Sequence, residues 1–203
     1  MTSASRPRRR LGEDERRAQI TAAALQEVVE RGYEGASLTR VAARAGVAKG
    51  LVWHYFAGKD DLMGAAARAA MEAMRADVVD AVDLDRPVPD VIRSAVRAAA
   101  SLVRSRRDEL VAVHRIVHNL RRAGGDTVTT DFYEEIHRGQ EELFRRGQAE
   151  GSLRDGDPRV MAVTYQGAID TMLAHLEAHP DVDPGAYAAE LAEILLGGLQ
   201  GGT

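Results

Sequence analysis

The chain has 203 residues, with 27 Lys and Arg against 31 Asp and Glu, a formal net charge of −4 and no cysteine. The lack of cysteine excludes disulfides, thiolate nucleophiles and thiolate metal sites, and no apolar run approaches the roughly 18 residues a membrane helix needs. Apolar residues make up 45% of the chain but aromatics only 4%, so the core is expected to be Ala, Leu, Val and Ile in an all-α protein.

The charge is unevenly placed. Residues 1–60 carry 11 basic and 7 acidic side chains, leaving 16 and 24 for the rest. A basic footprint suited to nucleic acid is therefore confined to the N-terminal third. Residues 1–12 (MTSASRPRRRLG) are expected from their composition to form a flexible basic arm. Its Arg6, Arg8, Arg9 and Arg10 either enter a minor groove or make a solvated tail. No apolar segment follows these arginines, so a signal peptide is not expected. A cytoplasmic protein with no membrane partner is.

Glu13, Asp14 and Glu15 place negative charge where a helix N-terminus favours it. The helix that follows carries Ile20, Ala24, Leu25, Val28 and Val29 on one stripe and is expected to end at Arg31-Gly32, with Tyr33 to Ala36 as a connection. Ser37 is an N-cap for a second helix with Leu38, Val41 and Ala42 on one face. Gly46 falls where that helix must stop in a left-handed turn, and Val47 plugs the turn. A short helix from Ala48 then presents Ala48, Lys49, Leu51 and His54 outward. Two short helices about a tight turn make a helix-turn-helix, whose second helix suits a DNA groove.

A fourth helix, 59 to about 82, carries Leu62, Ala66, Met71, Met74 and Val78. The domain boundary is placed near its start, with 13–60 as a DNA-binding domain and 61–203 as a second domain. Asp85 to Pro89 breaks the chain. Five more helices are expected, over about 90–105, 108–122, 126–150, 157–179 and 183–196, for about nine in all. Asp157-Pro158 and Asp183-Pro184 each pair an N-cap with proline at the first helical position, and Gly197-Gly198 reads as the stop of the last.

The segment LTRVAARAGVAKGLVWHYFAGKDDL, preceded by AALQEVVERGYEGAS, resembles the DNA-binding domain of the tetracycline-repressor (TetR) family of bacterial regulators. The resemblance covers about residues 14–63, and its combined signature AGVxxGxxxxYFxxKxxL is specific. It implies double-stranded operator DNA as partner, a homodimer, and a small-molecule effector bound in a C-terminal helical bundle that serves effector binding and dimerisation. On the matched positions, Lys49 is expected to meet a phosphate or a guanine, Gly50 to admit close backbone approach, and Leu51 to press on thymine methyls. Trp53, His54, Tyr55 and Lys59 are expected to reach phosphates, with Ala48 on the same face and Thr39 and Arg40 near the backbone crossing. Leu51 stands where the family usually has a small polar residue, and Trp53 where it has tyrosine, so no operator sequence is carried over. Val41, Val47, Val52 and Phe56 are assigned to core. Trp53 stays open between contact and packing, and His54 between contact and helix cap.

In the second domain, His114, His118, Tyr133, Tyr165 and Met172 are candidate effector-lining residues, with polar tips or adaptable side chains on apolar faces. Thr164, Gly167, Ala168 and Thr171, with Tyr187, Leu191, Ile194 and Leu195, are a candidate dimer face; the same stripes suit closure of the monomer's own core. His114/His118 and His175/His179 each stand four apart, as helical zinc ligands do, but a third ligand is lacking. The single Glu134-x-x-His137 lacks the second copy a di-iron bundle needs. No metal, cofactor or catalytic set is expected. The resulting expectation is a ligand-responsive transcriptional repressor released from a near-palindromic operator by a small molecule. The alternatives are a helical enzyme or carrier using the C-terminal cavity, and a DNA-binding module regulated by a protein partner without a ligand.

Overall fold

The computed structural model describes residues 12–122 and 127–200. The basic arm expected over 1–12 lies, but for Gly12, outside them. Among the described residues the chain forms nine α-helices and no strand, and no helix is long and apolar enough to cross a membrane.

A small N-terminal unit comes first: α1 (Glu13–Gly35), α2 (Leu38–Ala45), α3 (Lys49–Tyr55) and the start of α4 (Lys59–Asp80). Ile20, Ala24 and Val28 of α1 meet Val41 and Ala42 of α2, with Val52, Phe56 and Leu62 closing one buried cluster. Each large apolar side chain taken from water here contributes roughly 1.5–3 kcal/mol. The first stretch of α1 ends at Arg31-Gly32 as expected, but the following residues, expected as a connection, add a further helical turn. Gly32 leaves helical geometry, with φ 70° and ψ 173°, and the chain then resumes a turn to Gly35. That turn is closed by Ala36 N–H donating to Gly32 O at 3.2 Å and by buried Tyr33, whose hydroxyl donates to Asp60 Oδ1 at 2.5 Å.

The larger body contains α5 (Val88–Ser105), α6 (Arg107–Arg122), α7 (Thr127–Ala149), α8 (Pro158–Ala178) and α9 (Pro184–Gln200). α5 packs on α8 and α9, and α7 on α8, around Ile92, Phe144, Leu176 and Leu196. α5 begins two residues before the expected 90, because Pro89 fits a first helical turn and both Val88 and Pro89 are buried. α9 runs through Gly197-Gly198 to Gln200, beyond the expected stop at 196. Buried Leu199 anchors this last turn, while Arg154 satisfies its carbonyls, backbone N–H to Leu199 O and Nε to Gly198 O, both at 2.8 Å. The remaining ends differ from expectation by a residue or two, the ordinary spread of helix termini.

α6 connects the two parts. It lies against both α1 and α4, and Arg115 Nη1 donates to the carbonyls of Val28 and Val29, each at 3.4 Å. α4 itself runs from the small unit into the body, where Arg106 grips Asp77 through two hydrogen bonds of 2.5 and 3.1 Å.

Candidate nucleic-acid interface

The helix pair is built locally as its sequence dictates. Ser37 Oγ accepts from Arg40 N–H at 3.4 Å, capping α2. Gly46 closes it at φ 65°, ψ 33°. Its N–H donates to Ala43 O at 3.1 Å, and Val47 N–H to Ala42 O at 3.0 Å. A side chain at Gly46 would be strained in this left-handed geometry. α3 is docked by Val52 and Phe56, both fully buried. Val41 is buried with them, and Val47 is half-buried against the same cluster.

That docking leaves Ala48, Lys49, Gly50, Trp53 and His54 exposed on one side. Trp53 is 50% exposed, which decides its placement against core packing. Leu51, Tyr55 and Lys59 are half-buried at the edges of this face, with the His54 ring set edge-on to Tyr55 at 5.2 Å. Thr39 is exposed on α2. Arg40 is exposed too, but its Nη1 donates to Gly35 O at 2.6 Å, tying it to the α1–α2 connection. Lys59 Nζ stands 4.4 Å from the Tyr33 ring centroid, a cation–π seat at the start of α4. Burial, with Asp60 as hydrogen-bond partner, pushes the Tyr33 phenol well above its ordinary range.

Two α1 side chains that the sequence reading passed over hold the pair from behind. Arg17 Nη1 donates to Tyr55 O at 3.0 Å, and its guanidinium lies 4.4 Å over the Phe56 ring. Gln19 Nε2 donates to Ala45 O at 2.8 Å. Both satisfy carbonyls at helix C-termini, where no intrahelical donor remains. Arg44 on α2 meets buried Glu27 at 2.6 Å and also Glu30. The Arg44 hydrogen bond holds the Glu30 carboxyl below its usual range. No local motif marks these contacts, because each joins residues 14 or more apart. The result is a short, rigidly backed helix presenting a lysine, an indole N–H, an imidazole and a bare glycine to solvent.

The second-domain candidates fall in several settings. His114 Nδ1 lies 2.6 Å from Glu177 Oε2, and His118 is exposed. Tyr165 and Met172 are buried in the core, Tyr165 edge-on to Phe144 at 5.8 Å; burial drives its phenol upward. Half-buried Tyr133 hydrogen-bonds Asp170. Asp170, Gln166 and Gln140 make a polar line that the sequence reading did not single out. Gln140 Nε2 donates to Gln166 Oε1 at 2.7 Å, and Gln166 Nε2 to Asp170 Oδ1 at 2.9 Å. Burial pushes the Asp170 carboxyl up, opposed by its hydrogen bonds with Gln166 and Tyr133, and it pushes His137 down, as does Arg159. His175 and His179 stack on one another at 4.2 Å, with Tyr187 5.3 Å from His175. On α8, Thr164, Gly167 and Thr171 are exposed and Ala168 is half-buried. On α9, Ile194 is 64% exposed, while Tyr187, Leu191 and Leu195 lie partly on the core. Val160 and Val163, outside the expected set, add exposed apolar surface to α8.

Residues 20–66 match the model of the family described as bacterial regulatory proteins, tetR family. The HTH-type transcriptional regulator HbdR of Aromatoleum sp. (strain CIB) is 30% identical over 109 residues, 53% of this chain and 47% of that protein. The HTH-type transcriptional regulator BetI 1 of Chromohalobacter salexigens is 40% identical over 67 residues, 33% of this chain and 31% of that one. The chain thus spans less than half the length of these curated relatives. Among solved structures, a Rhodococcus sp. Rha1 transcriptional regulator superposes with a TM-score of 0.72 at 21% identity, covering 92% of this chain and 99% of that one. FadR of Bacillus subtilis, in complex with stearoyl-CoA, gives 0.70 at 20% identity, covering 89% and 98%. At these identities the likeness is one of fold.

Proposed function

We propose that the chain, whose residues 20–66 match the tetR family model, works as a homodimeric, cytoplasmic transcriptional repressor. In this reading residues 13–60 bind a near-palindromic operator and residues 61–203 bind a small-molecule effector and dimerise. The observation that carries it is the exposed face of α3, where Lys49, Gly50, Trp53 and His54 stand clear of a core that fixes the helix through Val52 and Phe56. Paired recognition helices one DNA turn apart would read successive major grooves. Exposed apolar Val160 and Val163 on α8 and Ile194 on α9, with exposed Gly167, support pairing through α8 and α9.

An effector releases DNA only if it binds the two arrangements of the paired units with different affinity. Contact of α6 with both α1 and α4 supports a route by which the body could bias the small unit. The enzyme reading finds no support in the relatives above, which are described as regulators. The ligand-free reading would win if a broad panel of small molecules never altered operator affinity or melting temperature.

The test is fluorescence anisotropy on a DNA fragment selected for binding. Lys49→Ala is expected to weaken binding and reduce the salt slope by about one, as loss of a phosphate contact does. Tyr55→Phe is expected to weaken it through loss of one hydroxyl. Unchanged affinity in both variants overturns the DNA reading.

A further inference from the structure

We propose that the trough between α5 and the start of α9 is a binding site for an aliphatic carboxylate. The trough is about 500 Å³, with Arg97, Ala100, Ser101 and Arg104 of α5 on one side and Pro184 and Gly185 of α9 on the other. That volume lies within the range of small-molecule sites. Its position differs from the effector-lining candidates on α6, α7 and α8, so this site stands apart from the reading above.

The charge is what selects the ligand. The sequence after residue 60 is acidic, yet this trough is walled by two arginines. Arg97 is exposed and has no hydrogen-bond or ion-pair partner among the described residues. Neighbouring arginines are spoken for: Arg93 pairs with Glu193 at 2.7 Å and Arg106 with Asp77. Arg104 meets only Asp183, at 3.3 Å, with both side chains more than 60% exposed. Such a pair adds little stability and exchanges readily for another carboxylate. Asp183 keeps its own role afterwards, because its Oδ1 accepts from Ala186 N–H at 2.7 Å at the start of α9.

The floor selects the rest of the molecule. Ala100 and Pro184 are buried apolar residues, so methylenes laid on them leave water. Arg97 and Arg104 are seven residues apart on one helix, about 10 Å at 1.5 Å per residue. An extended chain of about eight carbons fits along that line with its head on one guanidinium, a charge-assisted contact.

The experiment is calorimetric titration and thermal melting of the full chain with sodium octanoate at constant ionic strength, with acetate and 1-octanol as controls. Octanoate is expected to bind saturably and raise the melting temperature, with neither control doing so. R97A/R104A, two exposed positions that leave the core intact, is expected to weaken octanoate binding by about tenfold or more. Ser101→Phe, which fills the trough from an exposed position, is expected to block it. Absence of saturable binding, an equal response to 1-octanol, or an unchanged Kd in both variants overturns the site. None of those outcomes touches the DNA reading, which is tested at Lys49.

Discussion

Arg17 near the start of α1 donates to the carbonyl of Tyr55 at the end of α3, a 3.0 Å bond across 38 residues of chain. The same guanidinium covers the Phe56 ring, so the C-terminal end of the exposed helix is held from outside its own segment. Arg17→Ala should cost on the order of 1 kcal/mol of stability, one hydrogen bond with a cation–π contact. It should also weaken DNA binding. Arg17→Lys, which keeps the charge but not the fork, should behave like the alanine variant. Denaturant melts and anisotropy on both check this; a lysine variant with full affinity would show that only charge matters there.

Gly50 lies exposed in α3 with open space where a Cβ would stand. Alanine favours helix over glycine by about 1 kcal/mol, so Gly50→Ala should raise the melting temperature of the protein alone. Operator affinity should fall at the same time, since the added methyl occupies the gap left for close approach. Higher stability with unaltered affinity would remove Gly50 from the interface.

Gly167 presents the same contrast on α8, mid-helix and exposed, with nothing near its would-be Cβ. Gly167→Trp should drive the protein to monomer in light scattering after gel filtration and cut operator affinity with it. Val163→Asp should do the same through a charge on exposed apolar surface. A dimer surviving both would place the pairing face elsewhere.

Asp170 has a defined pH signature. Burial raises its folded-state pKa above the unfolded value near 3.9, so its ionised form is disfavoured in the folded protein. The stability tied to its protonated form is complete below the unfolded pKa and is lost as pH rises through the folded pKa. Asp170→Asn should therefore melt higher relative to the native chain at pH 7 than at pH 4. Paired melts across that range check it, and a difference that stays constant with pH would contradict the assignment.

The parts of the fold that were legible in the sequence are the ones decided within a turn or two of chain. Ser37 caps and Gly46 turns because of their own chemistry, and Val41, Val52 and Phe56 are buried as one-face spacing requires. The last turn of α9 was not legible, since two glycines argue against it and its support comes from Arg154, more than forty residues away. The interface divides the same way. Ala48, Lys49 and His54 are exposed as expected, whereas only tertiary structure shows Trp53 exposed, Arg40 turned back to Gly35 and Lys59 seated on Tyr33. In the body, polar tips on apolar faces were too common a signal to separate Tyr165, which packs in the core, from Tyr133, which joins a hydrogen-bonded line to Asp170.

α4 is clasped at both ends, by Tyr33 on Asp60 and by Arg106 on Asp77. Between those clasps α4 is unbroken helix, about 26 Å from Asp60 to Asp77 at 1.5 Å per residue. It is a lever. A tilt of about 5° at the Asp77 end sweeps the other end through roughly 2 Å over that length, enough to break a hydrogen bond. On the proposed operator-binding reading, a shift of that size in α4 would be large enough at α3 to separate a fitting contact from a missed one.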